Sequence, residues 1–412
     1  MVDRQLKLLM KPEKREPEQY VDLGHSDIEN HLKTQVALYE KRLKEGTAAN
    51  KVAAFFATNL LGFAYHYLKS RFGPKAEYQF YPRNGDDGIY PIHTYTDSVT
   101  LALVSDWATD TPESDRIGAL IRDYDPDYTI HLGDIYFVGT PQEVADNFTN
   151  PDASWHFGKH GSLALSGNHE MYSNGTAYFK KLLPEMKIRK GHEVATQQAG
   201  FFCLENEHWR IIGLDTGYNS TNRPFLEVLF KPDCNLRKEL INWLKEVVRL
   251  GNPDDKRGII FLSHHPYFSS FRDDHPVVGR QLKEVFGAAE RPVLWFWGHE
   301  HRLSFYNKYG FSDGIQAWGR CVGHGGMPVE TDPPDRGHLG QLLFYDQRVR
   351  ERIRRRDVGY NGFALLSLNG PAIDINYIDQ TNKTVIAERW KVDEAGGLSS
   401  EILEVHPEVT KY

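Results

Sequence analysis

Five short apolar runs in this chain stop at residues whose side chains bind metals or move protons, and that recurrence restricts the folds open to it. VTLALVS runs into Asp106, YTIHLG into Asp134, and SLALSG into Asn168, His169 and Glu170. IIFLS runs into His264 and His265, and PVLWFWG into His299, Glu300 and His301. Runs of this length and β-rich composition read as buried strands, and in an open sheet the chemistry gathers beyond the strands' carboxyl ends. Two carboxylates, an amide and several imidazoles are therefore expected along one sheet edge.

Amphipathic segments at 114–124 and 235–250 separate the apolar runs, and strand and helix alternation of this kind implies a layered α/β core. Beyond a polar stretch at about 331–357, the runs FALLSL, AIDINYI and TVIAERW read as antiparallel strands with turns at Asn369-Gly370 and Asn382-Lys383. Ahead of the first strand, Ser26 and Glu29 form a capping box, and Ile28, Leu32, Val36, Tyr39 and Leu43 recur at helical spacing. A second helix is expected at 48–72, completing a helical hairpin. The apolar stretch 52–68 carries Asn59, Gly62 and His66 and falls short of the roughly 20 residues that cross a bilayer, so a buried helix is favoured and no membrane span is expected. The resulting division is an N-terminal helical extension (1–95), an α/β domain (96–392) and a C-terminal tail (393–412).

With 40% hydrophobic and 25% charged residues in 412, the composition is globular. A net charge of −7 gives no general attraction to nucleic acid or to an anionic membrane. Cys203, Cys234 and Cys321 form no Cys-x-x-Cys pair and no disulfide framework, which favours a reducing compartment. The first residues contain no apolar core of a secretory signal, and a cytoplasmic location is expected.

Each cluster taken alone has a plain structural reading. Asp106, between a strand and a helix, has the position of an N-cap; Gly133-Asp134 suits a turn; Asn168, His169 or a lone His264 suits loop bonding. Together, imidazole nitrogen and carboxylate oxygen suit first-row transition metals, and the set is too large for one tetrahedral ion and about right for two sharing a bridge.

The ordered set Asp106, Gly133-Asp134, Gly167-Asn168-His169-Glu170, His264-x-Pro266 and Gly298-His299-x-His301 resembles the calcineurin-like metallophosphoesterase superfamily over residues 101–302. The resemblance implies a four-layered α/β/β/α sandwich and a metal-dependent phosphoester hydrolase, in which a metal-bridging hydroxide attacks phosphorus in line. It implies that Asp134 bridges two ions, that Asp106 and His301 serve one, and that Asn168, His264 and His299 serve the other. His169 is then the imidazole that stabilises the transferring phosphoryl group and protonates the leaving oxygen, with Glu170 orienting it. The implied cofactors are two divalent or mixed-valence ions drawn from Fe, Mn, Zn, Ni and Co, and the implied partner is a small phosphoester.

One motif departs from the pattern. Most members carry Asp-x-His where this chain has Asp106-Trp107-Ala108. The purple acid phosphatase branch also lacks that histidine and uses a tyrosine three residues after the bridging Asp; here that position is Phe137, with Tyr136 one residue earlier. The departure favours a phosphomonoesterase, with a phosphodiesterase for cyclic or small nucleotides and a non-catalytic binding protein as alternatives. A nuclease would want a basic groove, offered only by Arg348, Arg350, Arg352, Arg354, Arg355 and Arg356. Helical geometry would spread those charges around an axis, and a solvated face or ion-pair network is the favoured reading. His265 and the Gly323-His324-Gly325-Gly326 loop read equally as packing or turn residues and as contributors to the site, whereas Asp215-Thr216 repeats the strand-end pattern but is favoured as a loop tie.

Overall fold

The computed structural model describes residues 75–92, 98–107, 111–136, 139, 141–150, 153–221, 234–353 and 356–412. The expected helical hairpin, Ala108 and Phe137 lie outside them.

Among the described residues, two nine-stranded mixed sheets carry the fold. One contains β1 (Val99–Val104), β2 (Tyr128–His131) and β3 (Gly161–Ala164) as parallel neighbours; the other contains β4 (Gly258–Ser263) and β5 (Val293–Trp297), also parallel. These are the five apolar runs read from the sequence. Side chains alternate along each strand, and that period sorts the core. Leu101, Leu103, Ile130, Leu163, Ile260, Leu262, Leu294 and Phe296 share one buried cluster between the sheets. Their neighbours Ala102, Val104, Ile259, Phe261, Val293, Trp295 and Trp297 join a second cluster with the helices. A strand buried on both faces is largely apolar, and polar exceptions among these are partnered, as where the buried Thr129 and Ser162 hydroxyls bond each other.

Three helices cover the outer faces: α1 (Pro112–Tyr124), α2 (Lys238–Glu246) and α3 (Pro276–Phe286). Ile117, Leu120 and Ile121 of α1 pack with Ala102 and Val104, and Phe286 of α3 meets Phe261 edge-on at 6.2 Å. The layers are thus α/β/β/α. Burying each such side chain is worth roughly 1.5–3 kcal/mol, so a polar substitution on the inter-sheet faces would open the sandwich.

The N-cap of α1 is Thr111, whose hydroxyl accepts the Ser114 N–H at 2.9 Å while the Ser114 hydroxyl oxygen accepts the Thr111 N–H at 3.1 Å. Asp106 lies five residues upstream and does not cap it, which removes the plain reading of that aspartate. The three C-terminal runs form antiparallel strands Gly362–Asn369, Ala372–Asp379 and Thr384–Val392, with Gly370 (φ 57°) and Asn382 (φ 65°) in left-handed turns as read from the sequence. Within the expected tail, Leu398–Val405 pairs with Thr384–Val392, and Thr410–Lys411 pairs with Leu342–Tyr345 of the other sheet. The last residues are therefore built into both sheets.

Candidate functional site

Parallel pairing sets the strand ends at one level. Val104 pairs with His131 and His131 with Ala164 in one sheet, while Ser263 pairs with Trp297 in the other. The residues that follow all leave from one edge of the sandwich. Three of the predicted ligands hold the left-handed backbone conformation there: Asp106 (φ 53°), Asp134 (φ 53°) and His299 (φ 65°). Such non-glycine conformations cost of order 1 kcal/mol or more and persist where the surroundings fix them. Backbone bonds supply the fixing: Asp106 N–H donates to Gly133 O at 3.1 Å, Trp107 N–H to Asp134 O at 3.0 Å, and Gly298 N–H to His264 O at 3.0 Å.

The side chains converge. His264 Nε2 lies 3.2 Å from Asp134 Oδ2 and 3.2 Å from Asn168 Oδ1. His264 Nδ1–H donates to the Leu132 carbonyl at 3.1 Å, which leaves Nε2 as the lone-pair atom of the neutral ring. The Asn168 orientation follows from its amide, which donates to the Tyr172 hydroxyl at 2.8 Å. Three acceptor atoms therefore meet at one point, an arrangement that calls for a cation between them. Where none is bound, a proton answers: burial opposes charge on His264, but the adjacent Asp134 outweighs it and pushes the imidazole up to about 9. Asp134 is itself held well below the usual carboxylate range, burial being overcome by His169, His264 and His299.

Across the site, Asp106 Oδ2 accepts the His299 N–H at 2.8 Å, while Asp106 Oδ1 is buried with no hydrogen-bond donor, 3.4 Å from His301 Nε2. Ligand atoms of Asp106, Asp134 and His264 lie within 4.8 Å of one another, as do those of His264, His265 and His299. A buried orphan carboxylate oxygen and two N/O donor groups that share His264 fit a pair of transition metal ions. His169, also buried, donates its backbone N–H to Asp134 Oδ1 at 3.0 Å and holds Nε2 3.6 Å from Asp134 Oδ2. The structure thus brings together all seven residues singled out in the sequence: Asp106, Asp134, Asn168, His169, His264, His299 and His301.

The neighbours of these residues take structural roles. Glu170, expected to orient His169, accepts the backbone N–H groups of Asp134 and Ile135 at 2.9 Å each and that of Gly167, so it clamps two strand-end turns together. Backbone amides of the Gly323–Gly326 loop do not form an anion cradle: Gly325 N–H donates to Ser105 O and Gly326 N–H to Asp106 O, both at 3.0 Å. Tyr136 is buried with its ring against Gly139, and burial with Glu170 and Glu143 nearby keeps the phenol protonated. Asp215 ties a loop by accepting the Ser166 hydroxyl at 2.7 Å and the Tyr218 N–H at 3.0 Å. Cys321 was not a sequence candidate for this region; its thiol faces the carbonyls of Glu300 (3.3 Å) and Arg302 (3.4 Å) and braces the histidine loop from behind. No spacing rule flagged it, because the contact is made across the sheet.

The arginine run is not helical. Glu351–Ile353 and Arg356–Val358 form a two-stranded hairpin. Arg348 pairs with Asp346 at 2.8 Å and Asp379 at 3.0 Å, Arg350 with Glu113 at 2.9 Å and Glu351 at 2.6 Å, and Arg352 with Asp357 at 3.2 Å. This is the ion-pair network favoured from sequence. Arg354 and Arg355 lie outside the described residues. All three cysteines are buried and free, and no described helix is long and apolar enough to cross a membrane.

Comparison with solved structures returns the same architecture. Purple acid phosphatase PPD1 from yellow lupin (Lupinus luteus) seeds superposes with a TM-score of 0.50 at 15% identity, over 74% of this chain and 56% of that one. The chain thus spans little more than half the length of the lupin protein. GAP50 of Plasmodium gives a TM-score of 0.47 at 14% identity over 72% of this chain and 90% of its own, and PhoD gives 0.48 at 13% over 75% and 72%. At 15% identity the likeness to the lupin protein is one of fold. No curated protein matches in sequence. The profile of the calcineurin-like phosphoesterase family matches residues 99–303, a span that opens at β1 and closes just past His301. By that match, and by the strand-end constellation it encloses, the chain belongs to the calcineurin-like phosphoesterase family.

Proposed function

We propose that this phosphoesterase hydrolyses small phosphomonoesters at a centre of two transition metal ions. The observation that carries the reading is the meeting of Asp134 Oδ2, Asn168 Oδ1 and His264 Nε2, with the orphan Asp106 Oδ1 on the other side of the site. Asp134 would be shared between the ions, Asp106 and His301 would serve one, and Asn168, His264 and His299 the other. When bound, the ions supply Lewis-acid neutralisation of phosphoryl charge and acidify water for attack on phosphorus.

The chain's own residues do the rest. Glu170 and the backbone bonds among the turns hold the ligands in place before substrate arrives, so little reorganisation is needed in the transition state. His169, 3.6 Å from Asp134, is within reach of a phosphoryl group held there and donates a proton to the departing oxygen. The preference for monoesters rests on the missing Asp-x-His imidazole at Asp106-Trp107-Ala108, a departure shared with the purple acid phosphatase branch.

A screen of phosphomonoesters and phosphodiesters against protein reconstituted separately with Fe, Mn, Zn, Ni and Co tests this directly. Monoester turnover that exceeds diester turnover and disappears in Asp134→Ala is expected. Faster diester cleavage would reverse the substrate assignment, and undiminished activity in Asp134→Ala would remove the metal centre from the reaction.

A further inference from the structure

We propose that His265 is an additional metal ligand, completing a tris-imidazole set with His264 and His299 on the ion assigned to Asn168. The inference rests on the metal-centre reading above and extends it to a residue outside that ligand set.

Three observations carry it. First, a ring nitrogen from each of His264, His265 and His299 lies within 4.8 Å of the other two, so a small inward closure of the side chains would bring all three onto a single transition metal ion. The rings crowd accordingly, with centroids 4.8 Å apart for His264 and His265, 4.7 Å for His265 and His299, and 5.2 Å for His264 and His299. Second, His265 is anchored as a ligand is. Its backbone N–H donates to Thr216 Oγ1 at 3.1 Å, and its Nδ1 lies 3.1 Å from the same oxygen. That hydroxyl has lone pairs for both, so Nδ1–H can donate to it and leave Nε2 with the lone pair. His264 uses Leu132 O in the same way. Third, His265 is buried, and the rings it faces are His264, His299 and His275, at 5.4 Å for the last. With Nδ1–H committed to Thr216, a cation would engage the remaining ring nitrogen.

A third neutral imidazole has consequences for the ion. It adds a borderline nitrogen donor without adding negative charge, so the site should favour Zn²⁺ or Co²⁺ over Mn²⁺. It also occupies a coordination position that would otherwise hold water.

Titration of the metal-free protein with Co²⁺, followed by visible absorption and chelator competition, tests the assignment without reference to turnover. Wild type should take up two equivalents. His265→Ala and His265→Gln should weaken one of them at least about tenfold and change its absorption band, leaving the other as it was, while Thr216→Val should weaken the same equivalent by a smaller factor. Should the variants fold poorly, proton NMR of cobalt-loaded wild type still decides. Each coordinated imidazole retains one exchangeable, strongly shifted N–H, and four such signals are expected from His264, His265, His299 and His301. Three signals, or unchanged affinity and spectrum in folded His265 variants, would overturn the role of His265 while leaving the two-metal reading intact. Absence of cobalt uptake by wild type would instead overturn both.

Discussion

Glu170 and Asp134 interlock through the backbone. Glu170 Oε2 accepts the Asp134 N–H at 2.9 Å, and Asp134 Oδ1 in turn accepts the N–H of His169, the residue before Glu170, at 3.0 Å. The turn after β2 and the turn after β3 are thus tied in both directions, and the ligands they carry cannot move independently.

Removing that clamp should be costly. Glu170→Ala leaves the buried N–H groups of Asp134, Ile135 and Gly167 without their acceptor, and each orphan costs about 1–3 kcal/mol. Urea unfolding of the metal-free variant should show a loss of about 3 kcal/mol or more, with lower metal stoichiometry. A midpoint equal to wild type would show that the clamp is dispensable.

His169→Ala should separate chemistry from metal binding. Metal content by elemental analysis should stay near wild type, while kcat should fall by about 10²–10⁴, more for alkyl than for aryl phosphates, because only the poorer leaving group needs the proton. Equal losses on both substrate types would argue against proton donation.

Gly298→Ala addresses the approach of the two sheets. A Cβ at Gly298 would collide with the Ser105 side chain and come within 2.6 Å of Asp106 Oδ2, the atom that accepts the His299 N–H. We expect the variant to fold, as judged by circular dichroism, yet to lose metal affinity on the Asp106 side. By contrast Gly370→Ala, at a turn with φ 57°, should cost about 1 kcal/mol and leave metal binding alone.

Acid stability should report on His324. Burial depresses its imidazole to about 4, with Asp346 only partly offsetting the effect. The folded value is below the unfolded one near 6.5, so the unfolded chain binds more protons between these limits and stability falls as pH drops through that window. The loss is about 1.4 kcal/mol per pH unit, up to roughly 3 kcal/mol. His131, held at about 3 by burial, acts in the same direction. Urea titrations of metal-free protein at several pH values should show a shallower acid decline for His324→Gln than for wild type; parallel curves would contradict the assignment.

The sequence by itself determined the sheet strands that matter and the residues at their ends. Apolar runs too continuous for a half-exposed strand had to be buried on both faces, and Asp106, Asp134, Asn168, His264, His299 and His301 were legible because each interrupts such a run with a group that a core does not tolerate. Two readings needed the third dimension. Glu170 looks from its position like a partner of His169, but the turn after β2 delivers two backbone N–H groups to it and the turn after β3 a third, and backbone donors leave no trace in a residue pattern. His265 looks like a bystander beside His264. Only the meeting of the β4 and β5 ends, and the Thr216 hydroxyl arriving from the loop after the neighbouring strand Trp209–Gly213, turns its ring toward the other two imidazoles. Periodicity and residue chemistry act along the chain and can be read there, whereas distances across sheets arise from packing that no local pattern encodes.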